Sequence, residues 1–364
     1  MNKKILIIGG TLILIGILIL GYFLLRQKKE NSKETTTSFT ELAPLISNKK
    51  TFFPVLSSNE LATLFFNNQD QPAFYKFLLK TKGSEKISQN LDTPHNVLWS
   101  PDQTKIILKI FYNKYIFEKY NSQFISPGTQ DQALTTWLYD FKTQKLTQLD
   151  SNIQGIIWLP NSNKIIYQFY DDINKINSLN IADPNGQNWQ KIINLTEDRL
   201  YGFGGFADNQ TLIYFSNPND VSGTNIYSTN IQTKQTKQLT EHISKTALVS
   251  PGGKKIVYEL FQEEIQNYTL AIMNINGDNK KDLKIKTMLQ KIIWTPDGEN
   301  LITAIRETNN KTDSFYKINI QTGDKQEINY KSKISINAQN LILAQDEKTL
   351  YFTSDDFLYK LDLP

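Results

Sequence analysis

Few residues of this 364-residue chain have side chains that commonly carry nucleophilic or metal chemistry. The sequence has no cysteine and only two histidines, His95 and His242, so thiolate nucleophiles, thiolate metal sites and disulfides are excluded. No Gly-x-Ser-x-Gly pentapeptide occurs, and hydrolases of the α/β type present their serine in that motif. We therefore predict no catalytic residue, no metal site and no cofactor.

Carboxylates are the versatile groups that the chain does supply. They are concentrated in loops that join the second and third strands of the repeat described below. We predict that a partner-binding face includes Asp171, Asp172, Glu263, Glu264, Asp355 and Asp356. Acidic loops are also the ordinary composition of a solvated surface. Paired carboxylates near a central channel would instead suit the processing of a glycan.

A repeated unit must position these loops, and it is visible from about residue 39 onward. Each clear copy has an apolar strand that ends in tryptophan, a turn that contains proline, and a second apolar strand. The clear copies lie at residues 98–108, 157–167 and 293–302. Weaker copies begin near residues 56, 206, 249 and 343. Proline followed by Asp or Asn favours a reverse turn because these residues adopt the required backbone angles.

Each unit also contains a second hairpin, closed by turn residues such as Asn276-Gly277. Four short antiparallel strands in about 46 residues have the size of one propeller blade. The chain is therefore predicted to be an all-β propeller with seven four-stranded blades. Six blades are the alternative, because the first copy lacks both Trp and Pro. The equivalent tryptophans are predicted to pack between blades: Trp99, Trp158 and Trp294.

Residues 39–364 are predicted to form one closed ring of blades. The last copy ends after its third strand, and residues 39–42 align with the fourth strands of other copies. Residues 39–42 would therefore complete the last blade and remove an exposed sheet edge.

The repeat resembles a known family. The combination of Trp-[Ser/Thr]-Pro-Asp-Gly, as at residues 294–298, with a later Asn-x-Asn-Gly, as at 274–277, resembles the TolB-type, WD-repeat-like propellers of bacterial envelopes. It is also similar to the propeller of prolyl oligopeptidases, although no hydrolase domain follows here. The resemblance implies a β-propeller and a location at the cell envelope, and it specifies the fold better than the function.

The first 38 residues differ from the repeat. Residues 1–25 are predicted to be an uncleaved transmembrane anchor, because the apolar stretch 5–25 matches a bilayer core and exceeds a typical signal-peptide core. Residues 26–38 are polar and unpatterned, which predicts a flexible tether. We expect a single-pass membrane protein whose propeller lies outside the cytoplasm.

The distribution of charge along the chain argues against nucleic-acid binding. The formal net charge is +4, and residues 1–33 contain six Lys or Arg against one Glu, so the remainder lacks the basic surface that nucleic acid requires. We predict a monomeric, non-catalytic scaffold that binds an envelope protein or a wall polymer. The alternative is a glycan- or ester-processing enzyme that uses carboxylates of the propeller channel.

Overall fold

The computed structural model describes residues 40–364 of the chain, apart from residues 47–48, 59, 67–71, 112–133, 197–199, 217–223, 241–243, 263–266 and 307–310. These residues are almost entirely β, with two 3-10 helices at Pro251–Gly253 and Leu289–Lys291. No helix in this part of the chain is long and apolar enough to cross a membrane. The predicted anchor (1–25) and tether (26–38) lie outside the described residues.

The strands form seven consecutive sheets, each of which is one blade; six blades have strands a to d in chain order, and the last has strands a to c. A short strand, β1 (Thr40–Leu42), precedes the blades. Blade 1 contains β2 (Thr51–Ser58), β3 (Leu61–Phe66), β4 (Ala73–Leu78) and β5 (Ser84–Lys86). Blade 2 contains β6 (Asn96–Trp99), β7 (Lys105–Phe111), β8 (Leu134–Asp140) and β9 (Lys145–Gln148). Blade 3 contains β10 (Ile153–Trp158), β11 (Ile165–Asp171), β12 (Ile176–Ala182) and β13 (Gln190–Asn194).

The later blades repeat this order. Blade 4 contains β14 (Leu200–Phe206), β15 (Thr211–Ser216), β16 (Asn225–Asn230) and β17 (Thr236–Gln238). Blade 5 contains β18 (Ser244–Val249), β19 (Lys255–Gln262), β20 (Asn267–Asn274) and β21 (Lys281–Ile285). Blade 6 contains β22 (Ile292–Trp294), β23 (Asn300–Ile305), β24 (Ser314–Asn319) and β25 (Lys325–Ile328), followed by the short β26 (Tyr330–Ser332). Blade 7 contains β27 (Gln339–Leu343), β28 (Thr349–Ser354) and β29 (Phe357–Asp362).

The prediction of an all-β propeller with seven blades is confirmed. The first copy forms a complete four-stranded blade although it lacks the Trp and Pro of the others, so the six-blade alternative is wrong. Trp99 and Trp158 lie between blades, as predicted. The indole Nε1 of Trp158 donates to the carbonyl of Leu98 at 3.0 Å, and that of Trp99 donates to Phe53 at 3.3 Å.

The hydrophobic core is divided among the interfaces between blades. Alternate residues of strands b and c face opposite neighbours, because side chains of a β-strand alternate between its two faces. At the interface of blades 2 and 3, for example, Ile107 and Leu138 of blade 2 pack with Ile165 and Tyr167 of blade 3. Each blade therefore depends on its neighbours for burial of its apolar surface.

Residues near the start of the described chain pair with the end of the ring. The strand β1 pairs in parallel with β26. Pro44 bridges Tyr359 of β29, and the backbone N–H of Leu45 donates to Leu358 O at 2.8 Å. Contact with the outer strand of blade 7 is thus made by Pro44 and Leu45, a few residues after 39–42. The predicted domain boundaries themselves stay a prediction.

The antiparallel order of the strands gives the propeller two faces. The b–c and d–a connections lie on one face, which we call the loop face. The a–b and c–d connections lie on the other face, which we call the turn face. Of the predicted partner-binding face, Asp172, Asp355 and Asp356 belong to b–c connections, and Asp171 is the last residue of a b strand.

Candidate functional site

The structure places the four described acidic residues of the predicted face in two different blades. Asp171 and Asp172 lie at the b–c turn of blade 3, whereas Asp355 and Asp356 lie at that of blade 7. Glu263 and Glu264 lie outside the described residues. Within the described part of the chain, no hydrogen bond or ion pair joins the blade 3 pair to the blade 7 pair.

The carboxylates of Asp171 and Asp172 interact within the b–c turn of blade 3. Asp171 Oδ1 accepts the backbone N–H groups of Ile173 and Asn174, each at 3.0 Å. Hydrogen bonds from Asn174 hold the pKa of Asp171 below its ordinary value. Asp172 forms an exposed ion pair with Lys175 at 2.9 Å. This pair of acids is explained by local turn formation.

The carboxylates of blade 7 have a different setting. Asp355 and Asp356 form the two-residue turn between β28 and β29, with φ of 48° and 67°, the pattern of a type I′ hairpin turn. The carboxylate of Asp356 pairs with Lys50 at 3.0 Å, and its backbone carbonyl accepts Thr51 N–H at 2.7 Å. This turn therefore links the last blade to the first.

A cleft of about 440 Å³ opens at that junction on the loop face, and we call it the closure cleft. The blade 1 wall consists of Lys50, Thr51, Phe52 and Phe53. The blade 7 wall consists of Asn337, Gln339, Asn340, Thr353, Ser354, Asp355 and Asp356. The cleft thus combines a cation, two carboxylates, three amides and two aromatic rings. This is the inventory of a site for a polar ligand that carries hydroxyl or carboxylate groups.

A buried ion network positions the amide side of the cleft. Asp313 is completely buried and accepts Lys291 Nζ at 2.6 Å, Arg306 Nε at 3.1 Å and the backbone N–H of Ala338 at 2.8 Å. Lys291 Nζ also donates to Asn337 Oδ1 at 2.8 Å. A buried carboxylate with several partners fixes the chain around it, so the start of β27 and the side chain of Asn337 are held in place.

Hydrogen bonds within blade 7 hold Asn340 and the backbone of Gln339 in place. Asn340, at φ 50°, donates from Nδ2 to Thr353 Oγ1 at 3.0 Å. Thr353 Oγ1 donates in turn to the carbonyl of Gln339 at 3.2 Å. The cleft is therefore largely preformed, which lowers the entropic cost of ordering it around a ligand.

Sequence reasoning found the two aspartates of this cleft but missed Lys50 and the three amides. The closure prediction contained the necessary signal, because it placed the first blade beside the last. The d–a connection before blade 7 is also unusually long, at residues 329–338. Within the described residues, no group of three or more His, Cys, Asp or Glu side chains could hold a metal ion.

Comparisons with known proteins define the fold. No family model matches the chain, and no curated protein matches it. Solved structures do match. An oligogalacturonate lyase from Vibrio parahaemolyticus has a TM-score of 0.64 and 12% identity, covering 91% of this chain and 95% of the other. An oligogalacturonate lyase in complex with manganese has a TM-score of 0.60 and 12% identity, covering 89% and 93%. The β-propeller domain of the Trilobed protease from Pyrococcus furiosus has a TM-score of 0.54 and 15% identity, covering 86% and 93%.

These matches correct the main functional prediction. The sequence predicted a non-catalytic scaffold, whereas propellers that match along nearly their whole length include lyases. The finding favours the alternative prediction, a glycan-processing enzyme. At these identities the likeness establishes the fold alone. The chain has the β-propeller fold that the TolB-type resemblance implied, and it shares this fold with oligogalacturonate lyases and with protease propeller domains.

Proposed function

We propose that the chain is an enzyme that processes an acidic glycan, with the closure cleft as its active site. One observation carries the proposal: the ion pair of Lys50 and Asp356 lies in a preformed cleft that is lined by amides and aromatic rings. The likeness to lyases that act on oligogalacturonate supports a uronate as the sugar. A uronate substrate would give each charge of the ion pair a role, because Lys50 could bind the sugar carboxylate and Asp356 could remove a proton from the sugar.

Each wall of the cleft has a role in binding. The ammonium group of Lys50 is the partner for a uronate carboxylate. The amides of Asn337, Gln339 and Asn340 suit sugar hydroxyls, because an amide both donates and accepts hydrogen bonds. The rings of Phe52 and Phe53 offer an apolar surface to the C–H face of a pyranose ring.

The same groups suit a β-elimination. Asp356 removes the proton from C5 of the uronate, and the electron pair forms the C4=C5 double bond as the C4–O4 bond breaks. Water protonates the departing O4, and the proton on Asp356 is released to solvent, which restores the carboxylate. Lys50 stabilises the charge that develops on the uronate carboxylate. Because the described residues offer no metal-binding cluster, no step is assigned to a metal.

The cellular setting belongs to the same proposal. Anchoring through residues 1–25, with the propeller outside the cytoplasm, would place the closure cleft among glycans of the cell envelope. Protease added to intact cells tests this arrangement. Digestion of the propeller without lysis is expected, and protection until lysis would contradict it.

The enzymatic test uses the full chain in detergent with oligogalacturonate and with oligomers of other uronic acids. Elimination conjugates the new double bond to the carboxylate, so product formation is followed by ultraviolet absorbance. Asp356→Asn is expected to lower the rate by at least about 100-fold, in the range for loss of a general base. Lys50→Gln is expected to lower it similarly.

Lys80→Gln is the matched control. Lys80 belongs to the same blade as Lys50 and pairs with Glu60 at an exposed position, and it is expected to leave the rate unchanged. Thermal unfolding of each variant shows whether the fold is intact. If no uronate oligomer is cleaved, or if the two cleft variants match the control, the proposed function is wrong.

A further inference from the structure

A second cavity lies on the face of blade 3 that packs against blade 2, and apart from Asp150 its lining belongs to blade 3. It is well separated in sequence from the closure cleft. It has a volume of about 920 Å³, and we call it the interblade groove. It extends from Lys175 at one end of β12 to Trp189 beyond the other end. The seven residues of β12 span about 23 Å in an extended strand. The groove is therefore long enough for a linear ligand.

One position of the repeat is unusual in blade 3. The third residue of the largely apolar run in strand b pairs with a residue of strand c. That strand c residue is aromatic in five blades, as Tyr75, Trp137, Tyr227, Tyr316 and Tyr359. In blade 3 it is Asn180, which pairs with Tyr167, and in blade 5 it is Ala271, which is packed in an apolar cluster. Blade 3 is therefore the blade in which this position is both small and polar.

The floor of the groove is polar and buried. Asn180 is 2% exposed and Ser178 is 3% exposed. Asn180 Nδ2 donates to Ser178 Oγ at 3.1 Å, and Ser178 Oγ donates to Asn180 Oδ1 at 3.3 Å, so among the described residues the side-chain hydrogen bonds of these two groups are to each other. An amide has two donors and two acceptor lone pairs, and buried polar groups ordinarily use them. The floor thus retains hydrogen-bonding capacity for a ligand.

The rim of the groove carries an exposed tryptophan. Trp189 is 61% exposed, whereas Trp158 of the repeat is 7% exposed. Trp189 ends the c–d connection of blade 3, which has seven residues at 183–189, compared with four to six in blades 1, 2, 4, 5 and 6. The longer connection places an indole ring beside the polar floor, so apolar and polar surfaces are available to one ligand.

We propose that the interblade groove binds a linear oligosaccharide, with one sugar ring against Trp189 and hydroxyl groups bonded to Asn180 and Ser178. A pyranose has apolar C–H faces and a rim of hydroxyls, so it uses both surfaces at once. Lys191, which pairs with Asn180 across the sheet, favours acidic sugars. The inference concerns binding alone and does not depend on the chemistry of the closure cleft.

A peptide added as an extra strand does not fit this groove. Strand addition requires an unpaired sheet edge, whereas β12 is paired with β11 on one side and β13 on the other. A proline-rich peptide that docks on the aromatic rings is the competing occupant, and the experiment includes one.

The test is calorimetric titration of the full chain in detergent with a proline-rich peptide and with three hexasaccharides, derived from galacturonate, glucose and N-acetylglucosamine. At least one hexasaccharide is expected to bind. Trp189→Ala is expected to weaken that binding by at least about 10-fold, in the range for loss of a central aromatic contact. Asn180→Tyr fills the floor and is expected to abolish binding. Trp189 is exposed, so its variant is expected to fold normally even if Asn180→Tyr does not.

Two control variants locate the binding. Met288→Ala removes an apolar side chain that is 53% exposed in another part of the ring, and it is expected to leave the affinity unchanged. Lys80→Gln, at an exposed ion pair with Glu60 in blade 1, is also expected to leave the affinity unchanged. The elimination rate of Trp189→Ala at saturating substrate is measured beside its affinity, and loss of binding without loss of that rate separates this inference from the proposed function. If none of the sugars binds at millimolar concentration, if the groove variants bind normally, or if only the peptide binds, the inference is wrong.

Discussion

Two neighbouring interfaces of the propeller are built from the same repeat and are filled differently. Between blades 1 and 2, Trp137 and Tyr139 of β8 are buried against Phe65 and Phe74. At the equivalent positions between blades 2 and 3, β12 carries Asn180 and Ala182. The first interface is an aromatic core, and the second contains the interblade groove.

The register of strands b and c is the same at both interfaces. Leu108 pairs with Trp137 in blade 2, and Tyr167 pairs with Asn180 in blade 3, in the same register relative to the tryptophan at the end of strand a. The outer strand pair differs, because the register shifts between Leu179 and Asn180 where β12 pairs with β13, whereas β8 and β9 pair without a shift. A changed side chain and a local irregularity of the backbone therefore distinguish blade 3 within a shared fold, which is how function is commonly added to a fold.

The largest expected effect comes from replacing Trp137, at the interface of blades 1 and 2, with asparagine, the residue that blade 3 has at the equivalent position. Trp137→Asn removes a ring that is 3% exposed and leaves a cavity with a buried amide. We expect a loss of roughly 3–5 kcal/mol in the free energy of unfolding, the range for truncation of a large buried aromatic side chain. Urea denaturation measures this change.

Trp189→Ala is the matched control for that substitution, because it removes the same side chain from an exposed position. Its effect is expected to stay within about 0.5 kcal/mol, as for most surface substitutions. Equal losses in the two variants would show that the interfaces do not differ in the way described.

A smaller change in the free energy of unfolding, of opposite sign, is expected from filling the interblade groove. Asn180→Tyr restores the residue that other blades have and fills part of the groove. We expect stabilisation by roughly 0.5–2 kcal/mol, as for other cavity-filling substitutions. Thermal unfolding of the two proteins measures the difference.

Blade 5 offers a control at the same position of the repeat. Ala271 pairs with Tyr258 and is completely buried in a packed cluster. Ala271→Tyr is therefore expected to overpack the core and to destabilise the chain by roughly 1–3 kcal/mol. If both tyrosines destabilise equally, the groove is not the space left by a missing ring.

The fold could be predicted from the sequence because its signals are local. Alternating apolar residues, turns such as Pro101-Asp102 and the repeated tryptophans recur within each unit of about 46 residues. These signals establish the number of strands in each blade. Their regular recurrence also gives the number of blades, even though the copy that begins near residue 56 lacks both Trp and Pro.

The sites could be predicted only in part because they depend on contacts between distant residues. Lys50 and Asp356 are 306 positions apart, and their contact follows only from ring closure. The interblade groove had a clearer signal, because alignment of the c strands places Asn180 where most copies have an aromatic residue. The sequence does not show that Trp189 reaches the same cavity, since this depends on the path of a long connection.

The smallest expected effect is a pH-dependent difference in melting temperature, and it concerns the a–b turns of blades 2 and 3. In blade 2, burial alone would raise the pKa of Asp102, but hydrogen bonds from Ser100 and Thr104 lower it from 3.8 to about 2. In blade 3, the corresponding residue is Asn161, which has no carboxyl group. Because the folded pKa of Asp102 lies below the unfolded value, its stabilisation is present above about pH 4 and is lost as the pH falls towards 2.

The melting temperature of Asp102→Asn should therefore lie below that of the unaltered chain at pH 5, and the gap should narrow towards pH 2. Asn161→Ala is expected to give a gap that does not change with pH. A constant gap for Asp102→Asn would show that the ionised carboxylate does not stabilise the turn of blade 2.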